Sequence, residues 1–208
     1  MKKSVFLACA SAALLAAAIA PRFIGAARAA PPPPVANPTV ALLGDSITEG
    51  GLWANYFPNQ RVLNLGVSGD TTEGMLLRLG PLLAARPPKV FVMAGINDLL
   101  RGRAPDEVFA TYRQIVSELD GGGRKVFVES TLHVTQPVDL AINEKVARLN
   151  SQLRGLCEQG RRCTFVDMNS TLAPGGQLTR EFTGDGLHLN QAGYEAWFAA
   201  LKSRQLLD

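Results

Sequence analysis

Four short polar segments in this 208-residue chain carry side chains suited to acyl transfer. They are Gly44-Asp45-Ser46-Ile47-Thr48-Glu49-Gly50, Asn64-Leu65-Gly66-Val67-Ser68-Gly69-Asp70, Gly95-Ile96-Asn97-Asp98 and Asp185-Gly186-Leu187-His188. A serine hydroxyl is a weak nucleophile until a base removes its proton, and the base needs a partner that fixes its tautomer. Asp185 and His188 are three apart, so the carboxylate can reach imidazole Nδ1 across one turn and leave Nε2 for Ser46. Attack on an ester makes a tetrahedral oxyanion, which requires donors already in place. The backbone N–H groups of Ser46 and Gly69 and the side-chain amide of Asn97 are the candidates. A glycine at 69 lets backbone approach without a Cβ, and an asparagine amide donates without carrying charge.

Other residues could compete for these roles. Ser68 is a rival nucleophile, but the elbow pattern G-x-S-x-G needs glycine where Asp70 stands, so a turn role is expected. His133 is a rival base that follows the fourth strand; Ser130 occupies the position three before it, where a carboxylate would be needed. Asp45 and Asp98 are expected to bond their own turn backbones. Arg101 and Arg103 could meet an anionic head group, with a solvated loop as the simpler role. Leu99 and Leu100 either line an acyl pocket or pack, and Trp53 and Trp197 are expected in the core or at its rim. The phosphate-cradling spacings G-x-G-x-x-G and G-x-x-x-x-G-K are absent.

These segments must be positioned by regular elements. Apolar runs at 39–43, 61–65, 89–94, 125–129 and 164–166 predict five strands. Between them, Val108, Tyr112, Ile115, Val116 and Leu119 share one helical face, with Gly121-Gly122-Gly123 expected as its C-cap. Ile142, Val146, Leu149, Leu153 and Leu156 mark another helix, and Tyr194, Trp197, Phe198 and Leu201 a last one capped by Asn190. Such alternation predicts an α/β fold: a three-layer α/β/α sandwich around a flavodoxin-like parallel five-stranded sheet. In these sheets ligands bind beyond the carboxyl ends of the strands, which is where the first three segments fall.

The segments GDSITEG, SGDTTEG, GINDL and DGLHLN resemble, in order, the sequence blocks of the SGNH hydrolases, also called GDSL esterases and lipases, and most closely their small bacterial exported members. The resemblance spans Val40 to Gly193. Ser46 matches the block-one serine, Gly69 the block-two glycine, Asn97 the block-three asparagine and His188 the block-five histidine, with Asp185 as the acid of D-x-x-H. Gly66 is an alternative for block two; Gly69 is preferred because Asp70-Thr71 follows it. The resemblance implies a flavodoxin-like fold, no metal, and hydrolysis of esters or thioesters. A small-molecule ester of short or medium acyl chain is then the expected partner. Carbohydrate O-acetyl esters, lysophospholipids and thioesters remain open as substrates, and a non-catalytic envelope binding module is the reading from another class.

The rest of the chain sets the context. Lys2 and Lys3 precede the apolar run 5–20, and Ala27-Arg28-Ala29 supplies small residues for a peptidase, so 1–29 is expected to be a signal peptide. At 16 residues that run is shorter than the ~20 of a spanning helix, so no stable membrane span is expected after processing. Residues 30–38 form a proline-rich spacer and 39–208 the hydrolase domain, exported to the periplasm or secreted. The net charge of +3 is concentrated in the leader: without Lys2, Lys3, Arg22 and Arg28 there remain 17 basic and 18 acidic residues, so no nucleic-acid surface is expected. Two histidines and three cysteines offer no zinc-site spacing, and no cofactor is expected. Cys157 and Cys163 bracket a polar loop; in an oxidising compartment they can form a disulfide, the alternative being two partly buried thiols.

Overall fold

The computed structural model describes residues 35–160 and 162–206. The leader expected over 1–29 and the start of the spacer lie outside them. Five strands, β1 (Val40–Gly44), β2 (Val62–Gly66), β3 (Lys89–Met93), β4 (Lys125–Glu129) and β5 (Thr164–Val166), form one all-parallel sheet in the order β2-β1-β3-β4-β5. This is the doubly wound flavodoxin-like order, with its switch point between β1 and β3. Every residue of β1 is buried, as a central parallel strand requires. β1 and β2 lie one residue later than their apolar runs suggest, because Gly44 and Gly66 continue the ladder.

The helices are α1 (Ser46–Glu49), α2 (Trp53–Tyr56), α3 (Thr72–Leu77), α4 (Gly80–Ala85), α5 (Ile96–Leu100), α6 (Pro105–Leu119), α7 (Ile142–Gly160), α8 (Asn169–Leu172) and α9 (Gln191–Ser203). α6 packs between α3 and α7 and buries the expected stripe Val108, Tyr112, Ile115, Val116 and Leu119. Strand side chains alternate between faces, and the stacked rings of Phe91 and Phe127 turn to the other layer, where Phe57, Trp53, Trp197 and Phe198 meet edge to face. Trp53 and Trp197 are both core residues. Asn190 caps α9 through Oδ1, which accepts the Gly193 N–H at 3.1 Å. The glycine run after α6 differs from expectation. Asp120 is the C-cap, and Gly121–Gly123 form a separate 3₁₀ turn whose left-handed residues begin only at Gly122. Cys157 and Cys163 are joined by a disulfide between the end of α7 and the start of β5. Among the described residues no helix is long and apolar enough to cross a membrane.

Candidate active site

The register of the sheet sets one rim. Gly44 of β1 lies beside Gly66 of β2 and Met93 of β3, so Ser46, Gly69 and Asn97 follow three adjacent strand ends within a few residues. Ser46 opens α1, and Asp45 caps that helix, its Oδ1 accepting the Ile47 N–H at 3.0 Å. After β2, the Val67 carbonyl accepts the Asp70 N–H at 3.0 Å in a tight turn. Gly69 occupies that turn at φ +72°, which a side chain would strain. Gly66, the alternative for this role, packs against the backbone of Glu49 instead. On α5, the Asn97 amide donates to the Asp70 carbonyl at 3.0 Å, which orients it toward the same turn.

The candidate acid and base, Asp185 and His188, come from the far end of the chain. Thr183 and Leu189 form an antiparallel bridge that closes the loop between them. Inside it, Gly186 sits at φ +85° and its carbonyl accepts the Thr135 N–H at 2.8 Å. A Cβ on Gly186 would stand 2.2 Å from the Thr135 carbonyl oxygen, so glycine alone fits this close approach. Below the loop, Tyr194 of α9 donates its hydroxyl proton to the Ile47 carbonyl at 2.7 Å, tying α9 to the helix that begins with Ser46.

The result is a chain of contacts. Ser46 Oγ lies 2.9 Å from His188 Nε2, and His188 Nδ1 lies 2.6 Å from Asp185 Oδ2. Asp185 Oδ1 accepts the backbone N–H groups of Leu187 and His188 at 2.9 and 2.8 Å. Partial burial pushes the Asp185 carboxyl up, but the bonds from His188 and Leu187 outweigh it and hold the group well below the usual carboxylate range. The carboxylate is therefore charged throughout the neutral range and favours a proton on Nδ1, leaving Nε2 to accept from Ser46. The side chains of His188 and Asp185 are 45% and 55% exposed, so this side of the site is open to solvent.

Asp45, next to the serine, is almost wholly buried, and its Oδ2 has no hydrogen-bond partner among the described residues. Burial pushes its carboxyl up to about 6, opposed by the Ile47 N–H and the nearby His188. Other residues depart from expectation. Asp98 does not bond its own turn: it accepts from Thr72 N and Oγ1 and pairs with Arg103 at 2.8 Å. Arg103 also reaches Glu73, and Arg101 donates to the Gly69 carbonyl at 2.7 Å, so neither is a merely solvated arginine. The separation of these partners along the chain hides both roles from sequence patterns. Leu99 is buried and Leu100 is 43% exposed. Ser68 is bound through Oγ to the Glu49 carboxylate. His133 is half-buried, with Nδ1 unsatisfied among the described residues, and burial lowers its pKa. Among the described residues no group of three His, Cys, Asp or Glu side chains could hold a metal ion.

Comparison with known proteins places this rim in context. Residues 42–196 match the profile of the GDSL-like lipase/acylhydrolase family. The chain is 30% identical over 150 residues to an N-acylneuraminate cytidylyltransferase of Streptococcus agalactiae, covering 72% of this chain and 34% of that protein. It thus spans about a third of the length of those relatives. It is 29% identical over 177 residues to the platelet-activating factor acetylhydrolase IB subunit alpha1 of Pongo abelii, covering 80% of this chain and 75% of that subunit. The fold is shared with a GDSL-like lipase from Bacteroides thetaiotaomicron: TM-score 0.70, 24% identity, 79% of this chain and 86% of that one.

Proposed function

Because the chain belongs to the GDSL-like lipase/acylhydrolase family, we propose that it hydrolyses carboxylic esters of short to medium acyl chain through an acyl-enzyme on Ser46. The reading rests above all on the unbroken contact chain from Ser46 Oγ through His188 to Asp185, at 2.9 and 2.6 Å. Ser46 attacks the ester carbonyl as its proton passes to His188 Nε2, and Asp185 stabilises the imidazolium that forms. The negative oxygen of the tetrahedral intermediate accepts from the Ser46 and Gly69 N–H groups and the Asn97 amide. Collapse expels the alcohol, which takes its proton from His188. Water then attacks the acyl-enzyme with the same base, and Ser46 is released.

The half-exposed acid and base favour a small acyl group over a long chain that would need an enclosed tunnel. The similarity to an acetylhydrolase subunit agrees with a small acyl group. O-acetylated glycans, lysophospholipids and small thioesters present the same reacting carbon and remain within this reading. A non-catalytic binding role would not require all six groups to be competent. We also propose export through residues 1–29 to the periplasm or beyond, where the Cys157–Cys163 disulfide would persist. N-terminal sequencing of the exported protein should begin at Ala30, and retention of the leader would refute processing.

A panel of chromogenic esters from acetyl to decanoyl, run on the wild type and Ser46→Ala, tests the catalytic reading. The wild type should turn over the short members, and Ser46→Ala should stay at background. Equal turnover by both proteins would overturn it.

A further inference from the structure

We infer that Arg78 is a positioning residue for this hydrolysis, its guanidinium holding the three oxyanion donors in one arrangement; the inference rests on the catalytic reading above. Arg78 follows α3 and touches none of the reacting atoms. Its Nε donates to Asp70 Oδ2 at 2.6 Å and its Nη2 to the Gly44 carbonyl at 3.0 Å. Those two acceptors belong to different strand ends. Gly44 is the last residue of β1, two before Ser46. Asp70 directly follows Gly69, and its carbonyl accepts the Asn97 amide at 3.0 Å. One cation therefore joins the backbone that delivers the Ser46 N–H, the turn that delivers the Gly69 N–H, and the residue that aims Asn97.

Other contacts also join β1 and α1 to this turn, but none of them engages the Asp70 carboxylate together with the Gly44 carbonyl. Glu49 holds Ser68, and Arg101 holds the Gly69 carbonyl from the open side. The Val67 N–H donates to the Gly44 carbonyl at 3.1 Å, so that carbonyl already joins β1 to the turn, and Arg78 adds the carboxylate of Asp70 to the junction. The Asp70 and Arg78 side chains are only 12% and 16% exposed. Their bond is therefore charge-assisted and largely shielded from water, which makes it firm and directional. A guanidinium can serve both acceptors because its donors are fixed in a planar fork; a lysine ammonium at the same place is a point charge on a flexible stem. Displacement of reacting groups by about 1 Å can cost ~10²-fold in rate, and loss of one oxyanion donor ~10²–10³-fold.

Turnover per active site, counted by exhaustive organophosphonate labelling, should be compared for wild type, Arg78→Met, Arg78→Lys and the double variant Asp70→Asn/Arg78→Met, with Ser46→Ala, which has no hydroxyl to label, assayed per mole of protein, and a thermal midpoint taken for each. Arg78→Met should lower kcat about 10²-fold while KM changes by less than about threefold. Arg78→Lys should recover part of that loss. The double variant removes the carboxylate that Arg78→Met strands, so its midpoint should rise above that of Arg78→Met while kcat stays low. A purely structural role predicts that the double variant regains kcat together with stability. Wild-type kcat per labelled site in the double variant, or in Arg78→Met, would overturn the inference; should Arg78→Met not fold, Arg78→Lys and the double variant decide. If Ser46→Ala itself kept full turnover, the catalytic reading would fall and this inference with it. An inactive Ser46→Ala beside fully active Arg78 variants would overturn this inference alone.

Discussion

Replacing Glu129 by glutamine should make the protein more resistant to unfolding as pH rises, and the effect can be worked from the structure. Glu129 ends β4, is 1% exposed, and accepts the Trp197 indole N–H of α9 at 2.5 Å through Oε1. Burial pushes its carboxyl up from 4.5 to about 8, only partly opposed by that hydrogen bond. Between those values the folded protein keeps the proton that the unfolded chain releases. The contribution of Glu129 to stability is then complete below about pH 4.5 and is lost progressively as pH rises to about 8. The slope approaches about 1.4 kcal/mol per pH unit inside the window, for a ceiling of about 3–4 kcal/mol between pH 5 and pH 8. Glutamine keeps an oxygen for Trp197 and does not titrate. Urea unfolding of both proteins at pH 5, 6, 7 and 8 should show the advantage of Glu129→Gln growing with pH. Asp45, also raised by burial, titrates in both proteins and cancels in the difference. Parallel stability curves across that range would mean that Glu129 is ionised when folded, and the reasoning would fail. The pair bears on function because α9 carries Tyr194, which ties the His188 loop region to the helix of Ser46.

Two further outcomes are expected. On the proposed mechanism Asn97→Ala removes one oxyanion donor and should lower kcat by ~10²–10³-fold with a much smaller change in KM; steady-state kinetics on a short ester check this, and a change confined to KM would assign Asn97 to ground-state binding. Gly186→Ala places a methyl group 2.2 Å from the Thr135 carbonyl oxygen at φ +85°. It should cost at least about 1–2 kcal/mol from the left-handed backbone alone and lower kcat by shifting His188, so a variant with wild-type melting and turnover would show that this loop does not constrain the base.

The chemistry-bearing residues were legible because the rules that expose them are local. Ser46, Gly69 and Asn97 each follow an apolar run, and Asp185 and His188 are separated by one turn. The buried stripe of α6 and most of those of α7 and α9 follow from the same short-range periodicity, but Leu156 and Phe198 are only partly buried, and Cys157 takes the last buried position of α7. The one-residue differences at β1 and β2, and the cap after α6, fall where glycines extend a ladder or a turn without an apolar signal. Asp98, Arg101 and Arg103 depart from expectation for another reason: their partners Thr72, Gly69 and Glu73 come from a different strand end.

By itself, then, the amino-acid sequence determined which side chains could attack, accept a proton and hold an oxyanion, and the strand ends that Ser46, Gly69 and Asn97 follow, since residue type and periodicity are properties of neighbouring positions. Only the tertiary structure decided what holds them in register. Arg78 on the Gly44 carbonyl, Trp197 on Glu129 and Tyr194 on the Ile47 carbonyl join residues 34, 68 and 147 positions apart. Such pairs leave no periodic trace, because a hydrogen bond depends on distance and direction in space, and chain separation constrains neither.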